Sequence, residues 1–420
     1  MFIPSNTGSP SYPVETSSSG HLVKSVSLPA LDDAKKARNR RYATLCRLQG
    51  AIWSGALPRH GARLCSRSAL PATVRKKDGT RVETGMPGVI EIHSREEGTR
   101  HNYHGMSRCA SPLVCPYCSA IIQQRRAAEV MRAGQYLLEH GFSVAMLTQT
   151  ASHSRSTSLE DFVARFQAAQ RDMKGTREYM RWQKETHAKF TIRAVETTDD
   201  NPDVRGKKSG WHFHSHTLIF FENRMFTEKE IRRYTAWLQK LWVAALESVG
   251  LSGSMERAAR LDMPRAAELL EDARQEGRVE DVKKLCAYVA KAFGFEVSGG
   301  RNKKGREAGR RISVWELQEA ALTDKPELLP RYAEYMRAMR GVNWLRWSVG
   351  LKAFCGIEEE SDKALMEQGE KGDDVVWQFS NSDFIYVWRW GAQGLIIDAA
   401  DEGGRDGIAD LYEKLRSKRE

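Results

Sequence analysis

Apolar positions recur along this chain with two different spacings, and the switches between them mark its elements. The segment LDDAKKARNRRYATLCRLQG (31 to 50) has helical content and a basic face. Ile90 to Ile92 opens a short strand-like piece. The stretch SAIIQQRRAAEVMRAGQYLLEHG predicts a helix that stops at Gly141, because glycine turns left-handed past a helix end at no steric cost. Directly after it, Phe142 to Thr150 is apolar and β-branched, the pattern of a buried strand. A helix with Ser158 as N-cap is expected from about 159 to 182.

Two more strands, Lys189 to Thr198 and Gly210 to Phe221, flank the turn-rich basic loop DDNPDVRGKKS. Helical spacing returns at about 227 to 249, 264 to 275 and 279 to 293. VSGGRNKKGREAGRR (297 to 311) is a Gly-rich basic loop, followed by a helical region with many Trp, Tyr and Arg residues. The order strand, helix, strand, strand, helix, helix predicts an α+β fold, a mainly antiparallel sheet flanked by helices. Residues 1 to 30 are rich in Ser, Pro, Thr and Gly; they lack the apolar area to offset ordering entropy and are expected to form a disordered tail.

Composition narrows the partner. The 420 residues carry 65 Lys+Arg against 54 Asp+Glu, a formal net charge of +11 and a pI near 9.3. That balance favours a polyanion bound through phosphate neutralisation. No run approaches the roughly 20 apolar residues of a membrane helix. The opening MFIPSNTGSPSYPVETSSSG lacks the apolar middle of a secretory signal, so a cytoplasmic protein with no membrane partner is predicted. Seven cysteines, three of them between Cys109 and Cys118, suit a reducing compartment and a metal site better than a disulfide framework.

The chemistry concentrates in three places. In WHFHSHTLIFF, the period of a strand puts His212, His214 and His216 on one face, a comb of imidazoles suited to a transition metal. Glu196 is the only acid within the apolar stretch FTIRAVETT, where a buried carboxylate is costly unless it is paired or metal-bound. With Glu196 added to two histidines the site hardens toward Mn²⁺ or Mg²⁺; with three histidines it moves toward zinc. Downstream, LCAYVAKAFG places Tyr288 and Lys291 on one helix face, a phenol beside an ammonium that suits phosphoryl transfer. Finally, Cys109, Cys115 and Cys118 end in a Cys-Pro-x-Cys turn of the kind that aims two thiolates at a structural Zn²⁺. A fourth ligand is needed: His104 is nearest, with His101 and Cys65 as alternatives.

Taken in order, RCASPLVCPYCSAIIQQRR, MLTQT, RAVETT with GWHFHSHTL, and AYVAK resemble rolling-circle replication initiators of the HUH endonuclease superfamily, in particular plasmid Rep proteins with a cysteine cluster ahead of the nuclease motifs. The stretch from FGFEVSGGRNKKGR through RRISVWELQEAA to LRWSVGLK is similar to the tail of such proteins, so the resemblance covers about residues 100 to 355. It implies an antiparallel palm with His214 and His216 as main metal ligands, Glu196 as third, Tyr288 as nucleophile and Lys291 beside it. It also implies origin DNA, single-stranded or extruded as a hairpin, as partner, with host helicase and polymerase following. Attack by Tyr288 would leave a 5′-phosphotyrosine and a 3′-hydroxyl primer. The domain plan that follows is an accessory region at 31 to 99, a zinc-binding segment at 100 to 125, an HUH nuclease domain at 126 to 311 and a mostly helical region at 312 to 420.

The chain departs from the family pattern in two ways. The pattern is His, a bulky hydrophobic residue, His; here His214-Ser215-His216 has Ser in the middle whereas His212-Phe213-His214 keeps a hydrophobic residue, so the ligand pair stays open. In some relatives a glutamate one turn before the tyrosine activates water for the terminating cleavage, but that position is Lys284, which brings in Tyr332 or Tyr335 as a second tyrosine. Arg125 and Arg126 are candidate DNA contacts beside the zinc segment, and basic residues interleaved with aromatics in RGVNWLRWSVGLK and KKGREAGRR are others. Competing readings are a relaxase or transposase of the same superfamily, a zinc-stabilised DNA-binding regulator, and a zinc hydrolase that does not need Tyr288.

Overall fold

Strand periodicity organises the centre of the molecule. The computed structural model describes residues 31–71, 73–75, 81–83, 88–95, 98–154, 156–204, 210–262, 311–367 and 374–418. In chain order the elements are α1 (Leu31–Trp53), β1 (Thr73–Arg75), β2 (Arg81–Glu83), β3 (Ile90–Arg95), β4 (Arg100–His104), α2 (Pro116–Glu139), β5 (Phe142–Gln149), α3 (Leu159–Gly175), α4 (Arg177–Thr186), β6 (Ala188–Asp200), β7 (His212–Glu222), α5 (Glu228–Ser248) and β8 (Ala259–Asp262). After residue 310 come β9 (Arg311–Ser313), α6 (Val314–Leu322), α7 (Leu329–Ala338), β10 (Leu345–Trp347), α8 (Leu351–Phe354), α9 (Asp362–Glu367), β11 (Asp374–Phe379), α10 (Asn381–Arg389) and α11 (Gln393–Ser417). The fold is mixed α and β, with antiparallel sheets and helices. The expected helices at 264 to 275 and 279 to 293 lie outside the described residues, as does the basic loop up to residue 310.

The central sheet runs β10-β6-β7-β5-β8, with β9 pairing the far end of β6, and every pairing is antiparallel. Strand β7 is buried from Phe213 to Phe221 because helices cover both of its faces. On one face Phe213, Ser215, Ile219 and Phe221 meet α3, α4 and α5: Phe166 packs edge-on to Phe213 at 5.1 Å and to Trp242 at 5.0 Å, and Trp182 lies 6.2 Å from Phe221. On the other face Phe142 and Phe190 pack against Phe354 of α8, which also meets Tyr136 of α2. His214 and His216 belong to this second face.

The single helix expected over 159 to 182 is two helices. Thr176 has extended backbone (φ −76°, ψ 147°), and its hydroxyl accepts a hydrogen bond from the Tyr179 amide at 3.1 Å, ending α3 and capping α4 in one residue. Ser158 caps α3, and Thr227 with Glu230 forms a capping box on α5.

A second, three-stranded sheet runs β11-β3-β4. It joins residues 90 to 104 to residues 374 to 379, and α1 packs on α11 through Arg38, which pairs with Asp398 and Asp401. The region after 311, expected to be mostly helical, therefore also supplies β10 to the central sheet and β11 to the second. Both sheets are completed by strands that come late in the chain.

Candidate metal centres

Cross-strand register builds the first centre. Glu196 of β6 stands directly opposite His214 of β7, and His216 lies two residues further along the same face. Glu196 Oε2 is 3.3 Å from His214 Nε2 and 3.7 Å from His216 Nε2, and the three residues form a group able to hold a metal ion. On β5, Thr148 is opposite His216, and its hydroxyl lies 3.1 Å from His216 Nδ1. That contact orients the ring with Nε2 toward Glu196, the outer-shell support expected of a histidine ligand. All three carry donors fit for a divalent ion with positions left open for water or a phosphate oxygen.

His212 stays out of this group. Its Nδ1 lies 3.1 Å from Nε2 of His153, although its ring sits 4.8 Å from that of His214. Burial, with His214, Arg311 and His153 adding to it, pushes the His212 imidazole down to about 3, so the ring is neutral at physiological pH. Of the two overlapping pairs, the geometry thus gathers His214 and His216.

The serine between them has a structural explanation. Ser215 points to the helical side, where its hydroxyl accepts a hydrogen bond from Gln170 Nε2 at 2.8 Å; the same amide donates to Gln149 Oε1 at 3.0 Å, and Gln170 Oε1 accepts from Arg193 at 2.6 Å. A buried polar network occupies the place where a hydrophobic residue would pack.

Four cysteines form the second centre. Cys65 Sγ is 3.5 Å from Cys118 Sγ and 3.7 Å from Cys115 Sγ, and Cys109 Sγ is 3.8 Å from Cys118 Sγ. Around a tetrahedral zinc with bonds of about 2.3 Å, sulfurs stand roughly 3.8 Å apart. None of the four is in a disulfide. Local structure aims them: Cys65 ends the short helical turn Gly61–Leu64, and Cys115 is the N-cap of α2, its sulfur accepting from the Cys118 amide at 3.4 Å. Hydrogen bonds from Cys109, Cys115 and Cys118 hold the Cys65 thiol well below its usual range, while burial and its thiol neighbours push Cys115 well above it; a bound cation is what would bring the four to the thiolate form together. His104, expected as the fourth zinc ligand, is instead on β4 beside Glu91 and His93. The donor that gathers with Cys109, Cys115 and Cys118 is Cys65, within 4.8 Å of them. His101 is likewise engaged elsewhere, with Asp401 at 3.2 Å.

Tyr288, Lys291 and Lys284 lie outside the described residues. Tyr332 and Tyr335, the alternative nucleophiles, are core residues 1% exposed; Tyr335 donates to the Leu113 carbonyl at 3.1 Å, and burial raises its phenol well above the usual range. Arg126 is not a free DNA contact: it is buried and pairs with Glu129 at 2.6 Å and Asp362 at 2.7 Å. Lys352 of the Trp-rich tail is buried against Glu129 at 3.1 Å.

Two comparisons return nothing: no family model and no solved structure matches this chain. A third returns a distant relative. The chain is 24% identical to the Protein rep of Streptomyces lividans over 296 residues, an alignment covering 60% of this chain and 65% of that protein. A little under two thirds of that relative's length is therefore matched.

Thr148 and His153 were not singled out as site residues from sequence, whereas Cys65 was one of three candidates for the fourth zinc ligand. Thr148 carries a signal in hindsight, since it sits in the strand that pairs with the histidine strand. No helix among the described residues is long and apolar enough to cross a membrane.

Proposed function

We propose that this chain is a Rep-type replication initiator of the HUH kind, which nicks one strand of its origin through Tyr288. The observation that carries the reading is the convergence of Glu196, His214 and His216 on one sheet face, with Thr148 orienting His216. The likeness to a Rep protein and the net charge of +11 support it from two independent directions.

In this reading Glu196, His214 and His216 would hold Mn²⁺ or Mg²⁺, which supplies polarisation of a nonbridging phosphate oxygen. Tyr288 gives up its phenolic proton and attacks phosphorus in line with the departing 3′-oxygen. One phosphorus–oxygen bond forms and one breaks; the 3′-oxygen leaves as a hydroxyl after taking a proton from solvent or a neighbouring group. Lys291, three residues after Tyr288 in the sequence, would offset the added negative charge. Reversal of the same displacement rejoins the strand, so the bond energy is conserved in the phosphotyrosine. The four cysteines would hold Zn²⁺ and brace the start of α2.

The test is direct. Purified protein and Tyr288→Phe are incubated with the single-stranded origin of the chain's own replicon, with Mn²⁺ or with EDTA, and resolved on a denaturing gel. A metal-dependent covalent protein–DNA band that vanishes in Tyr288→Phe is expected. Origin binding without any such band would instead make the chain a zinc-stabilised regulator.

A further inference from the structure

The second sheet carries a donor group that neither centre uses. Glu91 and His93 are two residues apart on β3 and so share a face, and His104 of β4 stands directly opposite Glu91. Glu91 Oε2 lies 2.9 Å from His93 Nε2 and 3.4 Å from His104 Nδ1, and the two rings are 5.0 Å apart. All three donor atoms fall within 4.8 Å of one another. Ligand atoms around a tetrahedral zinc with nitrogen and oxygen bonds of about 2.0 Å stand roughly 3.3 Å apart. The two distances from Glu91 Oε2 bracket that spacing, and the third donor pair is no more than 4.8 Å apart.

We propose that Glu91, His93 and His104 form a further divalent-metal site, of the zinc class, that locks the β11-β3-β4 sheet. Three features carry it. First, the donor set of two imidazoles and one carboxylate selects borderline ions such as Zn²⁺ or Co²⁺ over Ca²⁺, which prefers oxygen alone. Second, Glu91 has its outer support: its Oε1 accepts a hydrogen bond from Gln378 Nε2 of β11 at 2.9 Å, which leaves Oε2 directed at the two imidazoles. Third, His93 is only 5% exposed and Glu91 and His104 are half-buried, so the group is partly shielded from competing water. Through Gln378 the site ties residues 90 to 104 to residues 374 to 379. It lies on a different sheet from Glu196, His214 and His216, so it does not depend on the nicking reading.

The experiment counts metal. The full chain and His93→Asn/His104→Asn are stripped with chelator, reloaded with Zn²⁺, desalted and measured by mass spectrometry for bound zinc; parallel Co²⁺ samples are read for thiolate-to-cobalt charge transfer, which reports the cysteine centre alone. The double variant should hold about one equivalent less zinc with its thiolate band unchanged. Equal zinc content with an unchanged band would overturn the proposal and leave a hydrogen-bonded cluster only. Should the double variant lose the thiolate band as well, Glu91→Gln decides, because it keeps the side-chain size: weakening of one zinc equivalent by at least about tenfold supports the site, and unchanged affinity refutes it.

Discussion

The Glu196–His214–His216 group and the four-cysteine group are both compact groups of donors, yet the chain assembles them by different means. The first arises from strand geometry: residues two apart on β7 share a face, and register brings Glu196 opposite His214. The second arises from tertiary packing. Three of its members sit within ten residues of one another, but Cys65 arrives from a separate turn that α1 holds in place, with Gln49 donating to the Cys65 carbonyl at 2.7 Å. The strand site sets a half-buried Glu196 beside two buried imidazoles, where in the proposed reading a substrate phosphate would join; the cysteine site draws on Cys65, Cys115 and Cys118, all fully enclosed. One arrangement suits chemistry and the other suits bracing.

The sharpest way to separate them is to break the brace. Zinc held by four thiolates contributes on the order of 10 kcal/mol of folding free energy in small metal-nucleated domains. Cys65→Ser should therefore co-purify with less zinc and lower the thermal midpoint by roughly 10 °C or more, whereas His104→Gln should leave the cysteine-bound zinc in place. If His104→Gln rather than Cys65→Ser removes the zinc that gives the thiolate band, the four-cysteine assignment is wrong.

This contrast also marks what was legible in the chain. The alternating histidines, the strand before them and the lone acid in FTIRAVETT were readable because a strand's period is local, and β6 and β7 are consecutive strands in the chain. The fourth cysteine was readable only as one of three alternatives, because nothing local links residue 65 to residue 109; proximity in sequence favoured His104. The glutamate–histidine triad on β3 and β4 went unnoticed for a related reason. Glu91 and His93 show the right alternation, but their partner joins through a strand pairing that short-range patterns do not reveal. Thr176 was missed as a helix break, since one polar residue in a long amphipathic run has little weight against the surrounding periodicity.

At the proposed catalytic centre the expected loss is in rate and not in stability. His214→Ala/His216→Ala should reduce the covalent adduct by at least about a thousandfold, corresponding to roughly 4 kcal/mol of charge stabilisation, with origin affinity in a filter-binding assay little changed. Adduct formed by this variant in the presence of EDTA would rule out a metal-dependent nick.

A smaller effect tests the polar residue between the ligands. Ser215→Val removes the acceptor for Gln170 and leaves a buried amide under-satisfied, a cost of about 1 to 3 kcal/mol in urea unfolding. Pairing it with Gln170→Leu would expose Arg193 instead, so the double variant should not recover the loss; full recovery would show that the network is dispensable. The smallest change is expected from Tyr335→Phe. It removes one buried hydrogen bond to Leu113, worth about 1 kcal/mol, and should leave the adduct yield at the wild-type level. A fall in adduct comparable with that of Tyr288→Phe would promote Tyr335 from the core to the chemistry.

The pairing of β3 with β11 has a consequence for how the protein is made. Glu91 and Gln378 are 287 residues apart. At about 5 to 20 residues per second, the ribosome needs roughly 15 to 60 s to deliver the second after the first. Throughout that interval β3 has β4 on one side and an open edge on the other, the kind of edge on which nascent chains adhere to one another. Slow elongation or crowded polysomes should therefore lower the soluble yield of this protein before any defect in its finished form can show.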